Sequence, residues 1–588
     1  MFNIKNHLRL PIIGKREPEE QPDPIDHDLH VQRLRELLYG LDLMLDDDAQ
    51  GVKSAFSDDT VESAVGRSGS AFYNAILGLE PKAIEEATEA LYHAEQVTEE
   101  RKKHFEHHDR PIGSYPAGME LQLCLSDIYL MQSALGFVSD SIVDSMKAAY
   151  RIRKTFLSFS KMMEHVRDVQ HKKETGEIKS LSPNATFIDE FIESGVITGY
   201  GVLTFLVSMF PPSLSRILSL FSFHGVRKES LELLWRASKY PNIQGAIALL
   251  CLYAFNAMIQ SLGSIPPSNY DQELEHCLQA VKDIRKRYSK GALWAVMEAK
   301  IYFLTGESQM ALEMEELSID SSMEQIIAMK GFDTAMLYVG MRKFKQAADA
   351  IIELEDLNSW SHAFYRYFAG CCLLQHGKEI LGSGGSEEEA KASIDHGIEY
   401  LKNAPTLVQK KKKRRTLPVE AYLIRKVQKW EDRAEKLNIS IADAMDVPPY
   451  AELIYIFVIC SLKDPKEAEA LRADLETCKC SEEDEAGLKE FLLGVIDRHL
   501  KEYDSCRVRM EHVLQLDQGY LSRDNRELWI LPFAYYELAA LYWDMHGMAA
   551  EKEVNHYLKK AQEFNDYDLQ NRLSMLAQAA TQTLQSEK

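Results

Sequence analysis

WAVMEAKIYFLTG (residues 294–306), YRYFAGCCLLQHG (365–377) and YYELAALYWDMHG (535–547) are one pattern written three times. Each opens on an aromatic residue, keeps one stripe at +3, +4 and +7, and closes on Gly at +12. The first copy reads Trp294, Met297, Glu298, Ile301 and Gly306. The second reads Tyr365, Phe368, Ala369, Cys372 and Gly377, and the third Tyr535, Leu538, Ala539, Tyr542 and Gly547. Offsets of three, four and seven residues share one face of an α-helix. A small residue at +4 lets a second helix approach closely, and the closing Gly supplies a left-handed cap. Glu298 breaks the small-residue rule, which predicts looser packing in that copy.

A fourth copy carries both helices of the unit, in Ala335, Tyr338, Ala347, Ile351 and Leu354. Its Ala335 and Tyr338 recur 34 residues later as Ala369 and Cys372. That period and the two-helix unit are those of tetratricopeptide repeats. The rest of the chain agrees. Only 30 Gly and 19 Pro stand among 588 residues, of which 45% are apolar. Few turn-formers and ample core material favour long helices. Leu34, Leu37, Leu38 and Leu41 mark one helical face, and Lys82–Val97 offers a small-residue face at Ala83, Ala87, Ala90, Leu91 and Ala94. No run alternates with period two for long enough to require a strand. The expected fold is all-α, a tetratricopeptide-like helical repeat solenoid with an N-terminal helical region packed onto it.

The expected organisation has five parts. Residues 1–27 read as a frayed, Pro-rich tail with no secretory signal. Residues 28–270 form the N-terminal helical region, 271–404 the first repeats, 405–418 a basic linker, and 419–588 the C-terminal repeats. Gly382–Ser383–Gly384–Gly385 is a flexible insertion within one helix pair, and no Gly-Lys-Ser/Thr follows to make it a phosphate loop.

Two stretches lack charge altogether, Ser194–Ser215 and Tyr240–Tyr270. Gly195 and Gly199 make a GxxxG, the spacing that brings helix backbones together in membranes. The apolar part of the first run is shorter than the ~20 residues a span needs, and Gln244 and Asn256 interrupt the second. Helices buried in the middle of a solenoid look the same. Val196–Phe210 and Ala246–Met258 are therefore expected to be buried, with no stable membrane span.

The net charge of −22 excludes a general nucleic-acid binder, which needs surplus positive charge. Lys410, Lys411, Lys412, Lys413, Arg414 and Arg415 run against that background between Pro405 and Pro418. Three readings stay open for this candidate interaction site: a solvated linker, a nuclear-import address, or a patch for anionic lipid.

The block Glu193–Ser238, ESGVITGYGVLTFLVSMFPPSLSRILSLFSFHGVRKESLELLWRAS, resembles the signature of the tetratricopeptide repeat protein 39 family. Three more stretches agree: Val447–Leu462 (VPPYAELIYIFVICSL), Leu528–Tyr542 (LWILPFAYYELAALY) and Phe564–Ala580 (FNDYDLQNRLSMLAQAA). The sequence departs from the family pattern at His224–Gly225–Val226–Arg227, which puts a polar contact there in doubt. The resemblance implies a cytoplasmic helical-repeat protein. It further implies kinship with fungal inclusion-body clearance proteins, linked to lipid droplets and to removal of aggregated protein.

Catalytic chemistry finds no support in the motifs. His104–Phe105–Glu106–His107–His108 sets imidazoles one turn apart, but without an HExxH and beside Arg101, Lys102 and Lys103 it reads as a solvated helix end. The acid runs Asp46–Asp48 and Glu482–Glu485 read as solvated faces. Nine Cys contain no CxxC, which fits a reduced chain with buried thiols. No catalytic residue, cofactor or metal ligand is assigned. The expectation is a non-enzymatic adaptor whose groove binds a protein partner, in the cytoplasm and also at the nucleus or lipid droplets. The alternative is a peripheral lipid-surface protein using the uncharged helices and the basic run.

Overall fold

The computed structural model describes residues 26–108, 111–138, 142–178, 181–209, 227–317, 321, 323–408, 417–523 and 525–588. Seven helices come first: α1 (His27–Leu45), α2 (Ala49–Ala55), α3 (Val61–Gly78), α4 (Pro81–His108), α5 (Met119–Val138), α6 (Ile142–Glu174) and α7 (Pro183–Met209). Then follow α8 (Arg227–Ala237), α9 (Ile243–Tyr253, continued by a π-helical turn to Ile259) and α10 (Tyr270–Arg287). The first repeats are α11 (Ala292–Leu304) with α12 (Ser308–Glu316), α13 (Glu324–Gly340) with α14 (Phe344–Glu353), and α15 (His362–Gly382) with α16 (Glu387–Asn403). A long helix, α17 (Pro418–Leu437), precedes α18 (Pro449–Phe457) and α19 (Pro465–Thr477). The chain closes with α20 (Glu483–His499), α21 (Tyr503–Val513), α22 (Gln518–Leu521), α23 (Ile530–His546), α24 (Glu551–Ala561) and α25 (Gln570–Ser586). Among the described residues there is no strand.

Local chemistry sets many of these boundaries. Asp26, Thr60, Asn242, Ser361 and Ser386 each accept a first-turn N–H with their side chains, the ordinary N-cap. Gly306 (φ +88°) and Gly547 (φ +53°) take positive φ just past α11 and α23, where the +12 spacing puts the helix-ending Gly, although Gly547, with ψ −136°, is not in the left-handed helical cap conformation. Gly377 ends no helix. It lies inside α15, which runs on to Gly382, and there a Cβ would meet Ala390 O at 2.8 Å and Ile394 Cγ1 at 2.6 Å. That glycine serves close packing of α15 on α16, so the period was right and its cap role wrong.

Sequential helices pair as antiparallel neighbours, and the first helices of successive pairs stack: α11 on α13, α15 on α18, α20 on α23. Trp294 and Tyr365 are buried on first helices, and Tyr535 is half-buried on another. Ala335, Ala347, Ile351 and Leu354 are fully buried. Glu298 is buried too, its charge met by Arg285 at 2.8 Å.

The N-terminal helices pack onto this array. Trp294 Nε1 donates to Leu45 O at 3.0 Å, Tyr288 OH to Asp42 at 2.7 Å, and Lys290 N to Asp46 at 2.8 Å. At the other end, α23 and the chain around α25 return to the middle of the sequence. Tyr536 OH accepts from Ser264 N at 2.9 Å, Ser268 donates to Glu587, and Arg227 donates to Gln582 at 2.7 Å.

The uncharged region is mostly core. Gly195 and Gly199 face Leu123 and Phe159, where a Cβ would come within 2.4 and 2.3 Å of them, so the GxxxG packs helices together inside the protein. The helix is longer than the apolar run suggested. At 27 residues α7 passes the length and composition test for a span, yet 78% of its apolar window is buried inside the protein. Burial is also incomplete: Met258 is 52% exposed beside the exposed Ile259, and Leu206 is exposed within Val196–Phe210, which corrects the expectation of burial at those positions of both runs. A π-helical turn at 254–259 continues that end of α9. Phe210 lies outside the described residues.

Candidate functional site: an aromatic cleft over a buried ionic core

Helix α17 lays Tyr422, Lys426, Lys429 and Arg433 along one stripe, at i, i+4, i+7 and i+11, and all four are buried. Buried cations need partners, and this stripe finds them. Lys426 Nζ lies 2.7 Å from Glu452 and 2.9 Å from Glu527. Lys429 Nζ meets Asp484 at 2.7 Å, Glu485 at 2.5 Å and Glu527 at 2.8 Å. Arg425 pairs with Glu527 at 2.9 Å and with Asp568. Trp529 Nε1 donates to Glu527 at 2.8 Å, and Tyr422 OH to Glu452 at 2.5 Å.

Burial alone would raise the carboxyl pKa of Glu527, but Arg425, Lys426 and Lys429 outweigh it and hold it well below the usual range. Asp484 is likewise lowered, burial losing to Lys429. Glu452 is pushed up, because burial and the neighbouring Glu527 outweigh Lys426. Asp484, Glu485 and Glu527 bring one oxygen each within 4.8 Å of one another, a spacing that suits a cation. The Lys429 ammonium bonds to all three and takes that place. Glu482–Glu485 is therefore not the solvated face its sequence suggested: Asp484 and Glu485 are buried and neutralised.

Directly beside this core the surface opens into a cleft of about 230 Å³. Its walls come from four places in the chain: Trp360, Phe364 and Tyr367; Leu417, Pro418, Val419 and Tyr422; Leu453, Ile456 and Phe457; Leu569 and Arg572. The walls are held in place from behind. Tyr422 is fixed through Glu452, and the Tyr367 ring stacks on Trp430 at 6.2 Å. Trp360 meets Phe364 edge-to-face at 5.6 Å and is 41% exposed at the rim. A second depression, of about 290 Å³, is lined by Lys345, Asp349, Glu353, Leu373, His396 and Tyr400 and has no comparable aromatic wall.

The sequence-assigned site fares differently. Lys410, Lys411, Lys412, Lys413, Arg414 and Arg415 lie outside the described residues. His104 sits near the end of α4, where Arg101 stacks over the Phe105 ring, and the side chains of residues 106–108 are not described. Asp46 and Asp48 serve as helix-end partners, accepting from Lys290 N and Gly51 N. All nine cysteines are unpaired thiols, five of them buried. Sequence reasoning missed the cleft altogether. The stripe on α17 was the one signal available.

A family model for Iml2/Tetratricopeptide repeat protein 39 matches residues 38–500. The chain belongs to that family. Relatives run the full length. The inclusion body clearance protein iml2 of Aspergillus niger is 24% identical, over 100% of this chain and 98% of its own. That of Yarrowia lipolytica is 26% identical, over 97% and 98%. A solved structure of an IFIT1 monomeric mutant with Gppp-AAAA is similar at 11% identity and a TM-score of 0.31, over 92% of this chain and 96% of that one. Two stretches on which the family resemblance rested, Val447–Leu462 and Phe564–Ala580, supply walls of the cleft.

Proposed function

We propose that this family member is a non-enzymatic, cytoplasmic adaptor. It holds a segment of a partner protein in the aromatic cleft and takes part in clearing inclusion bodies, as the names of its fungal relatives say of them. One observation carries the reading: an open cleft with Phe, Tyr and Trp walls, braced by a buried ionic network. Aromatic anchor sites of this kind dominate protein recognition. Beside the cleft, Asp484 and Glu527 are buried and paired to Lys and Arg, which supports binding over catalysis at that place.

The test compares wild type with Val419→Trp, which fills the cleft from a half-buried wall position. Affinity purification with mass spectrometry should lose a defined set of partners in the variant, and clearance of a fluorescent aggregating reporter should slow. Equal partner sets and equal clearance would overturn the reading. The lipid-surface alternative keeps one observation, the exposed Leu206, Met258 and Ile259 of the uncharged helices. It predicts flotation with lipid droplets or liposomes that Val419→Trp leaves intact.

A further inference from the structure

Arg572, on the first turn of α25, reaches the cleft wall among mostly apolar side chains, with Tyr455 and Tyr536 near enough to favour its charge. Among the described residues, the other charges bordering that wall are paired. Asp568 pairs with Arg425, and Glu420 accepts from Leu417 N at 2.9 Å and from Ser361 Oγ at 2.9 Å. Glu452 is buried beneath Tyr422. Among the described residues Arg572 has no carboxylate and no hydrogen-bond acceptor. Burial without a counter-ion lowers its pKa, whereas Arg425 and Arg498, equally enclosed but paired with carboxylates, are raised. A guanidinium with no carboxylate partner at the edge of an apolar wall offers its donors to an anion presented there.

Size narrows what completes it. About 230 Å³ falls below the roughly 300–1,000 Å³ of pockets that enclose small molecules. It takes one or two apolar side chains, not a long acyl chain. Arg presents a planar fork that matches a carboxylate.

We propose that the cleft receives a peptide segment of a partner protein in which a Phe, Trp or Leu anchor stands beside an Asp or Glu, the carboxylate pairing with Arg572. This rests on the adaptor reading above and specifies its ligand. The anchor replaces water over Phe364, Phe457 and Tyr422, while the carboxylate supplies the charge that Arg572 lacks. A basic segment is rejected by the same guanidinium.

The experiment uses the full chain against a random 12-residue displayed peptide library, followed by fluorescence polarisation with the enriched peptides. Three variants read the result: Arg572→Gln, Arg572→Lys and Val419→Trp, each checked for an unchanged far-UV spectrum and melting midpoint. The expected peptides pair an aromatic or Leu with an acid. Arg572→Gln should weaken them about tenfold, Arg572→Lys should keep much of the affinity, and Val419→Trp should abolish binding. Replacing the acid by its amide should erase the difference between wild type and Arg572→Gln. Peptides that bind in the cleft but carry no acid, and ignore Arg572→Gln, overturn this inference and leave the adaptor reading standing. If no peptide is sensitive to Val419→Trp, both fall. Displacement of an acidic peptide by sodium oleate at equal affinity would assign the site to a fatty acid and overturn the inference as well.

Discussion

Replacing Lys429 by Met removes the ammonium from among Asp484, Glu485 and Glu527 and leaves a side chain of similar length. The three oxygens lie within 4.8 Å of one another. At an effective dielectric near 20, two carboxylates at that separation repel by about 3.5 kcal/mol. Partial protonation relieves some of it, and Arg425 and Lys426 still face Glu527. Loss of one partner from a buried ion pair costs about 3–5 kcal/mol, a large share of the about 5–15 kcal/mol that holds a domain folded. Urea unfolding followed by far-UV circular dichroism reads the change. The sign with pH follows from the carboxylates. In the wild type, Glu527 and Asp484 sit below their ordinary pKa, so their contribution is full above the ordinary carboxylate range and fades on acidification. In Lys429→Met these carboxylates lose one of their cations while Arg425, Lys426 and Arg526 remain, so their folded pKa values move back up and the variant loses less stability than the wild type as pH falls. The gap between the two proteins should be about 3–5 kcal/mol near neutrality and narrow towards about pH 5. A loss below about 1 kcal/mol near neutrality, the value of an exposed pair, would refute the ionic-core reasoning.

Trp294→Ala removes a fully buried ring and its hydrogen bond to Leu45 O; melting should report a loss of about 3–5 kcal/mol, and limited proteolysis should reach residues 46–60 sooner. Gly199→Val puts a Cβ within 2.3 Å of the Phe159 ring and should cost about 1–3 kcal/mol in the same unfolding assay. His30 is buried between Glu120, at 3.1 Å, and Glu62, at 3.5 Å. Burial opposes its charge, yet the two acids outweigh burial and raise its pKa above 6.5. Its stabilisation is full below about 6.5 and is lost as pH rises through the folded value, so His30→Gln should cost most at acid pH and least at alkaline pH. NMR titration of the imidazole gives the midpoint directly.

The helical array was legible because its code is local. An aromatic, two positions at +3 and +4, and a Gly at +12 sit within one helix, and stripe arithmetic needs no partner. Gly377 shows where that code ends: the same letter at the same spacing serves helix packing against Ala390, a neighbour across a turn. Charge was misread for a related reason. Glu482–Glu485 has the composition of a solvated face, and its burial depends on Lys429 and Arg526 arriving from 42–55 residues away. The cleft was beyond sequence reading because residues near 360, 420, 455 and 570 meet only after α25 folds back. The basic run 410–415, the loudest sequence signal, lies outside the described residues. Replacing all six by Ser is expected to change stability by less than about 1 kcal/mol, since six like charges in a row repel one another and favour solvation over packing.

The central claim is that the aromatic cleft holds a partner protein. A photo-crosslinking benzophenone residue placed at position 419, on the cleft wall, tests it inside cells, with position 508 on α21, where Val508 is 66% exposed, as the control. The account predicts discrete adducts heavier than the 67.1 kDa chain from position 419, absent from position 508 and lost when Trp360→Ala and Arg572→Gln are added. Identical adducts from both positions, or none from position 419 in cells where the chain is active, would contradict it.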